Sequence, residues 1–227
     1  MKVVPIIPAL NPDNKLIELV KELKNNFNDI IVVNDGSNSN EIFNKLDGCI
    51  ILTHEVNKGK GEALKTAFKY YLDNLSDKYL GVICVDADGQ HLPSDAVSMS
   101  KFLEEKDKFI LGTRLFNTKE TPLRNKTGNR ITSRLFKRLY NVYIKDTQSG
   151  LRVIPNRLIK DMLEVDGSRF EYELNVLIWL VKMNEDIVQY DIKTVYLKDS
   201  NKKSHYKVLS DSIRIYKLML EGRKKIE

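Results

Sequence analysis

Cysteine is nearly absent: the 227-residue chain has two, Cys49 and Cys84, each inside an apolar run. They read as buried, reduced thiols rather than a disulfide framework. No stretch has the ~20 consecutive apolar residues needed to cross a bilayer. The opening "MKVVPIIPAL" is a short apolar run that leads into a proline-bounded loop, not a secretory signal. The three histidines show no metal-ligand spacing. Internal repeats, low-complexity tracts and flexible linkers are missing too. These absences argue against a secreted disulfide scaffold, a membrane span and a histidine-ligated metal protein. The expectation is a cytoplasmic protein that can touch a membrane from its inner face.

What is present suits one α/β domain with a real core: 42% of residues are hydrophobic. The net charge is +6, which suggests an anionic partner without naming it. The first half alternates strand and helix. "KVVPIIPAL", "DIIVVND", "CIILTH", "YLGVICVD" and "KFILGTR" read as strands, most of them continuous apolar runs. Helices are expected after Asn11, an N-cap candidate followed by Pro12 and Asp13, from Gly59 to about Leu75, and from Pro93 to Glu105. Continuous apolar strands between helices imply a mostly parallel sheet covered on both faces. Ligands of such sheets bind beyond the carboxyl ends of the strands. Asn34-Asp35-Gly36-Ser37, Asp86-Ala87-Asp88 and Thr113-Arg114 all fall there.

The "DADGQ" segment is the sharpest feature. Side chains two apart on a strand point the same way, so Asp86 and Asp88 would converge. Close like charges raise each other's pKa unless a cation intervenes. Carboxylate oxygens suit Mg²⁺ or Mn²⁺, and Gln90 could add a neutral oxygen. The plainer alternative is a turn in which Asp and Gly cap a strand. Asp35 could accept hydrogen bonds from a base or a ribose, or simply form an Asx-turn. "NKGKGEAL" places two glycines and two lysines, Lys58 and Lys60, before a helix start, a good place for phosphate. Its glycine spacing fits neither a dinucleotide fingerprint nor a P-loop. The alternative there is a glycine N-cap with solvated lysines.

In order, "IIPALNP", "VVNDGS", "NKGKGEAL", "VDADGQHLP", "LGTR" and "DTQSGLRV" resemble family 2 glycosyltransferases with a GT-A fold. The closest resemblance is to the branch of dolichyl- and polyprenyl-phosphate sugar synthases. It covers residues 1 to about 155 strongly and continues more weakly through "RFEYEL" and "KSHYKVLSDSIRIY". It implies a Rossmann-like GT-A core for the nucleotide sugar over 1–155. Residues 156–227 would form the acceptor side of the same domain, with C-terminal amphipathic helices. By resemblance, Pro8 and Ala9 line the nucleotide pocket and Asp35 contacts the base. Lys58, Gly59 and Ala87 join the donor site. Asp86 meets the ribose or the metal, Asp88 and Gln90 hold the metal at the diphosphate, and Arg114 faces sugar or phosphates. Asp86 and Asp88 would be the catalytic pair. The chain departs from the family at Leu10, where an aromatic is common, and at Pro12, where a glutamate is common.

The implied reaction is inverting transfer of a sugar from a nucleotide diphosphate, UDP foremost, with Mg²⁺ or Mn²⁺ stabilising the leaving group. The acceptor must be read from the second half. Arg130, Arg134, Lys137 and Arg138 interleave with Ile131, Leu135, Phe136, Leu139, Tyr140 and Tyr143. Such a basic amphipathic helix can lie on an anionic membrane or pack its apolar face on the domain. A second amphipathic helix is expected over 206–223, in which the apolar residues up to Met219 are followed by Arg223, Lys224 and Lys225. A polyprenyl phosphate acceptor fits, because a phosphate oxygen is already anionic and needs no general base. Arg124, Arg130, Arg152, Lys202 and Ser204-His205 are phosphate-binding candidates. A hydroxyl of a glycan or glycolipid is the alternative acceptor, with Asp146, Glu171 or Glu173 as base. A membrane-protein partner or a homo-oligomer is compatible with the sequence. Nucleic acid is not expected, since the basic residues do not interleave with exposed aromatics on a nucleic-acid-binding fold.

Overall fold

The computed structural model describes residues 1–115 and 123–193, with side chains in the second stretch described from 128 onward. The expected helix over 206–223, the basic residues Lys202 and Arg223 to Lys225, Ser204, His205 and the Arg124 side chain lie outside the described residues.

A seven-stranded sheet forms the frame, in the order β3-β2-β1-β4-β6-β5-β7. The strands are β1 (Val3–Ala9), β2 (Ile31–Asp35), β3 (Ile50–His54), β4 (Gly81–Cys84), β5 (Phe109–Arg114), β6 (Arg152–Pro155) and β7 (Ile187–Ile192). β1 to β4 run parallel, and β5 runs parallel to β7. β6 is inserted antiparallel between β4 and β5. The central strands are apolar from end to end because helices cover both of their faces.

One face carries α1 (Lys15–Leu23) and α3 (Pro93–Lys106), which pack Leu16, Leu23, Ala96 and Met99 against Ile7, Ile83 and Val153. The other carries α2 (Lys60–Asn74), α4 (Leu123–Tyr140), α5 (Asn156–Met162) and α6 (Glu171–Lys182). With β7 on the sheet edge and α5 and α6 on its face, residues 156–193 build on the same frame as the first half. Among the described residues, no helix is long and apolar enough to cross a membrane.

Two expectations about helices change. α1 begins at Lys15, not just after Asn11. Asn11 adopts a left-handed backbone, φ 48°. Its N–H donates to Ser37 Oγ at 2.8 Å, and its Oδ1 accepts from the Asn38 N–H at 2.8 Å. Asn11 therefore ties the β1 loop to the β2 loop instead of capping a helix. The apolar face of α4 is largely used by the core: Phe136 is fully buried and Tyr140 nearly so. Burying a residue such as Phe136 contributes about 1.5–3 kcal/mol, so that face is not available to lipid. Ile131, 66% exposed, and Tyr143, 52% exposed, are the members of that set left at the surface.

Candidate active site

The carboxyl ends of β1, β2, β4 and β5 bring the sequence-predicted polar residues to one side of the sheet. Pro8 and Ala9 end β1 next to β2, in register with Val33 and Asn34. Asp86 and Asp88 follow β4. A surface depression of about 550 Å³, lined by Met1, Lys2, Lys101, Glu104 and Glu105, lies at the opposite end of β1 and carries none of this chemistry.

Asp35 closes β2 and is 4% exposed. Its Oδ1 accepts from the Lys58 N–H at 2.9 Å and from His54 Nδ1 at 2.7 Å, and its Oδ2 accepts from the Gly59 N–H at 2.8 Å. His54 Nε2 lies 2.9 Å from Thr66 Oγ1. The anion at the start of α2 is thus a side chain of the protein itself. Glu62, in the first turn, donates its N–H to Ser168 O at 3.0 Å. This corrects the phosphate-cradle reading of "NKGKG": the Lys58 and Gly59 backbone groups are already taken up. The glycines serve close approach instead. Gly59 has φ 102°, and a Cβ on it would meet Ser168 O at 2.5 Å; on Gly61 it would meet the Tyr172 Cβ at 2.7 Å. The segment 167–172 docks on these two positions. The Lys58 side chain points to solvent.

Lys60 is the residue of that motif that reaches the carboxylates. Its Nζ lies 2.6 Å from Asp86 Oδ1 and 2.9 Å from Glu173 Oε2. Burial works against the charge of Asp86, but Lys60, His91 and Arg114 outweigh it and hold the carboxyl well below the usual range. Burial likewise opposes the Lys60 charge, and Asp86 and Glu173 together raise its pKa above the ordinary lysine value. Asp88 goes the other way: burial and the negative Asp86 push it up. Its Oδ1 accepts from the Gln90 N–H at 2.9 Å across a turn in which Gly89 has φ 74°. A hard divalent cation fits this set. The oxygens of Asp86, Asp88 and Gln90 are of the right type, and a cation would relieve the repulsion that raises Asp88. The set is small: no group of three or more His, Cys, Asp or Glu suited to a metal occurs among the described residues.

Arg114, at the end of β5, grips Asp146 through Nε at 2.6 Å and Nη2 at 3.0 Å. Asp146 is fully buried and also accepts from the Gln148 N–H at 3.1 Å. Its reading as a base is corrected: both oxygens are held by the bidentate guanidinium. Arg152 is corrected as well. It is 3% exposed in β6 and donates to Ser149 O and to the Glu173 backbone carbonyl, so it is buried in the sheet rather than presented to solvent. Glu171 Oε1 accepts from the Ser168 and Arg169 N–H groups at 3.4 and 3.3 Å. Glu173 is buried in α6, ion-paired with Lys60, and Arg130 is exposed on α4. Sequence reasoning placed Lys60 only in a phosphate cradle and missed its contacts with Asp86 and Glu173. The available signal was its place one residue inside a helix that starts on a glycine.

A family model for Glycosyl transferase family 2 matches residues 6–163. The UDP-N-acetylglucosamine–dolichyl-phosphate N-acetylglucosaminyltransferase of Methanococcus voltae is 32% identical over 219 residues, covering 86% of each chain. The glycosyltransferase AglJ of Haloferax volcanii is 25% identical over 175 residues, 75% of this chain and 56% of that one. Among solved structures, glucosyl-3-phosphoglycerate synthase from Mycobacterium tuberculosis in complex with Mn²⁺, UDP and glucosyl-3-phosphoglycerate superposes with a TM-score of 0.68. The identity is 14%, over 99% of this chain and 79% of that chain. The same enzyme with phosphoglyceric acid gives a TM-score of 0.71. The sheet and its helices are the GT-A arrangement expected from the sequence.

Proposed function

The chain belongs to glycosyl transferase family 2 and is a glycosyltransferase; from that premise we propose that it moves a sugar from a nucleotide diphosphate to a polyprenyl phosphate. One observation carries the choice of acceptor. Most carboxylates that could activate a hydroxyl are firmly engaged, Asp146 by Arg114, Glu173 by Lys60 and Asp35 by the start of α2, while Glu171 accepts two long bonds from backbone N–H groups. A phosphate monoester brings its own anionic nucleophile and needs no such base. The similarity to a dolichyl-phosphate N-acetylglucosaminyltransferase supports the same acceptor class.

A UDP-sugar donor and a Mg²⁺ or Mn²⁺ cofactor are part of this reading, in keeping with the UDP and Mn²⁺ bound by the structural neighbour. Asp88 and Gln90, with Asp86, would hold the cation, which when bound supplies electrostatic stabilisation to the departing diphosphate. Asp86 is kept ionised and oriented by Lys60. Arg114, fixed by Asp146, lends positive charge to the Asp86 side of the site. The enzyme would work at the inner face of the membrane as a peripheral protein, its basic α4 surface facing anionic lipid.

The test is a screen of nucleotide sugars with the purified protein, with and without undecaprenyl phosphate. Transfer that requires the lipid phosphate supports the reading. Transfer to a glycan hydroxyl, abolished by Glu171→Gln, would replace it with the hydroxyl-acceptor alternative. Glu171 is the partly exposed member of the candidate bases, and its bonds are long.

A further inference from the structure

Asp86 and Glu173 share a single ammonium. Lys60 Nζ sits within 3 Å of both, at 2.6 Å from Asp86 Oδ1 and 2.9 Å from Glu173 Oε2. The two carboxylates differ in surroundings. Asp86 stands at the mouth of the site beyond β4. Glu173 lies within α6 at 8% exposure, and its second oxygen, Oε1, has no hydrogen-bond partner among the described residues. The neighbouring Arg152 guanidinium donates to the Glu173 backbone carbonyl. The ion partner of this buried carboxylate is therefore Lys60, and a buried charge is costly unless it is paired.

The Lys60 backbone is fixed, because the segment 167–172 docks against Gly59 and Gly61 on either side of it. Freedom is left to the four-carbon side chain, which already reaches both acceptors. A divalent ion at Asp86 and Asp88 would sit a few ångströms from this ammonium, where two cations repel strongly in a partly buried site. Glu173, with an oxygen to spare, is placed to take the displaced charge.

We infer that Lys60 is a resident counter-ion that competes with the divalent cation for Asp86, and that Glu173 is the positioning residue that draws the ammonium away when the cation arrives. This rests on the metal-dependent reading proposed above. It makes the enzyme a weak binder of bare metal, which the nucleotide diphosphate must help to recruit.

The test measures Mn²⁺ binding to the full chain, without nucleotide or acceptor, from the electron paramagnetic resonance signal of the free ion. Lys60→Met is expected to tighten binding about tenfold and Glu173→Gln to weaken it by a similar factor. The double variant Lys60→Met/Glu173→Gln is the decisive protein. It removes both members of the Lys60–Glu173 ion pair together, so neither is left buried without the other, and it should fold even if a single variant does not. If Glu173 acts only through Lys60, the double variant binds Mn²⁺ as tightly as Lys60→Met. A double variant with wild-type affinity would overturn the inference, since each charge would then act on the cation independently. So would unchanged or weaker binding by Lys60→Met and the double variant, provided that Asp88→Asn abolishes the wild-type binding. If no protein in the set binds Mn²⁺ and sugar transfer survives excess chelator, the metal-dependent reading itself falls, and the inference falls with it.

Discussion

Gly150 lies against the Asp86 carboxylate. A Cβ at position 150 would come within 2.4 Å of Oδ2 and 2.7 Å of Oδ1. The loop before β6 thus forms one wall of the carboxylate that Lys60 holds through Oδ1. Gly150 is absent from the positive-φ positions, so the demand here is for space, not for an unusual backbone. Gly150→Ala should leave the fold intact by circular dichroism and displace Asp86. A displacement of this kind costs about 1.4 kcal/mol for each tenfold of rate, and a fall of at least about tenfold in kcat/KM is expected. Wild-type kcat/KM in this variant would show that Asp86 need not occupy its present position.

Asp88→Asn tests the proposed cation site directly. It removes the carboxylate that burial and Asp86 push upward, and it keeps the shape of the turn with Gln90. Transfer should be lost, and nucleotide-diphosphate binding in Mn²⁺ should weaken while binding in chelator stays as it was. Calorimetric titrations in the two buffers make the comparison. Equal affinities with and without metal in the wild type would remove the cation from the site.

Asp35→Ala separates two roles for the β2 aspartate. Two backbone hydrogen bonds, from Lys58 and Gly59, anchor the loop before α2 to it, and a third bond joins it to His54 at the end of β3. Losing bonds to a buried charged group costs about 1–3 kcal/mol, so the denaturation midpoint should fall. Donor affinity should weaken as well, because the loop positions Lys60. A stability loss with donor affinity unchanged would confine Asp35 to the scaffold.

The sheet was legible because buried parallel strands are unbroken apolar runs, and the candidate site could be proposed because such runs stop on Asp35, Asp86 and Arg114. What escaped depends on contacts distant in sequence. Asp35 looks free in "VVNDGS", since its partners are backbone N–H groups more than twenty residues on. Arg152 reads as a surface cation, and only the antiparallel insertion of β6 between β4 and β5 buries it. Asn11-Pro12 carries a helix-start signal, yet the tertiary bonds of Asn11 to Ser37 and Asn38 prevail over the local preference. α5 is a single short helix of seven residues, too brief for a period to show.

The two thiols should differ in reactivity. Burial pushes Cys84 up to about 12, whereas Cys49 is half-buried and raised by burial to a lesser degree. Alkylation at pH 8 should modify Cys49 first and reach Cys84 only on unfolding. The sign of the pH effect follows. The unfolded Cys84 thiol loses its proton near 9.0, its ordinary value, and the folded one near 12. Between those limits the unfolded state binds fewer protons, so stability falls as pH rises. Cys84→Ala should flatten that part of the curve. Equal labelling rates for both thiols in the native protein would contradict the burial of Cys84.

The last prediction concerns how the enzyme meets its acceptor. With Phe136 and Tyr140 packed into the core, α4 cannot insert its apolar face into lipid, so attraction must come from charge. Arg130, Arg134, Lys137 and Arg138 are exposed along the helix, with Ile131 beside them, and Lys137 lies 5.9 Å from the Tyr143 ring centroid. Each basic residue near an anionic bilayer contributes about 1 kcal/mol. The triple variant Arg134→Glu, Lys137→Glu and Arg138→Glu replaces three attractions by three repulsions. It should lose sedimentation with anionic vesicles, and wild-type sedimentation should itself weaken as salt rises, because screening acts on exposed charge. Transfer to long-chain polyprenyl phosphate in vesicles should fall with it. Transfer to a short, water-soluble prenyl phosphate should persist, since the site at the ends of β2, β4 and β5 is untouched. If the variant sediments and transfers like the wild type, α4 is an ordinary solvated helix with no part in reaching the acceptor.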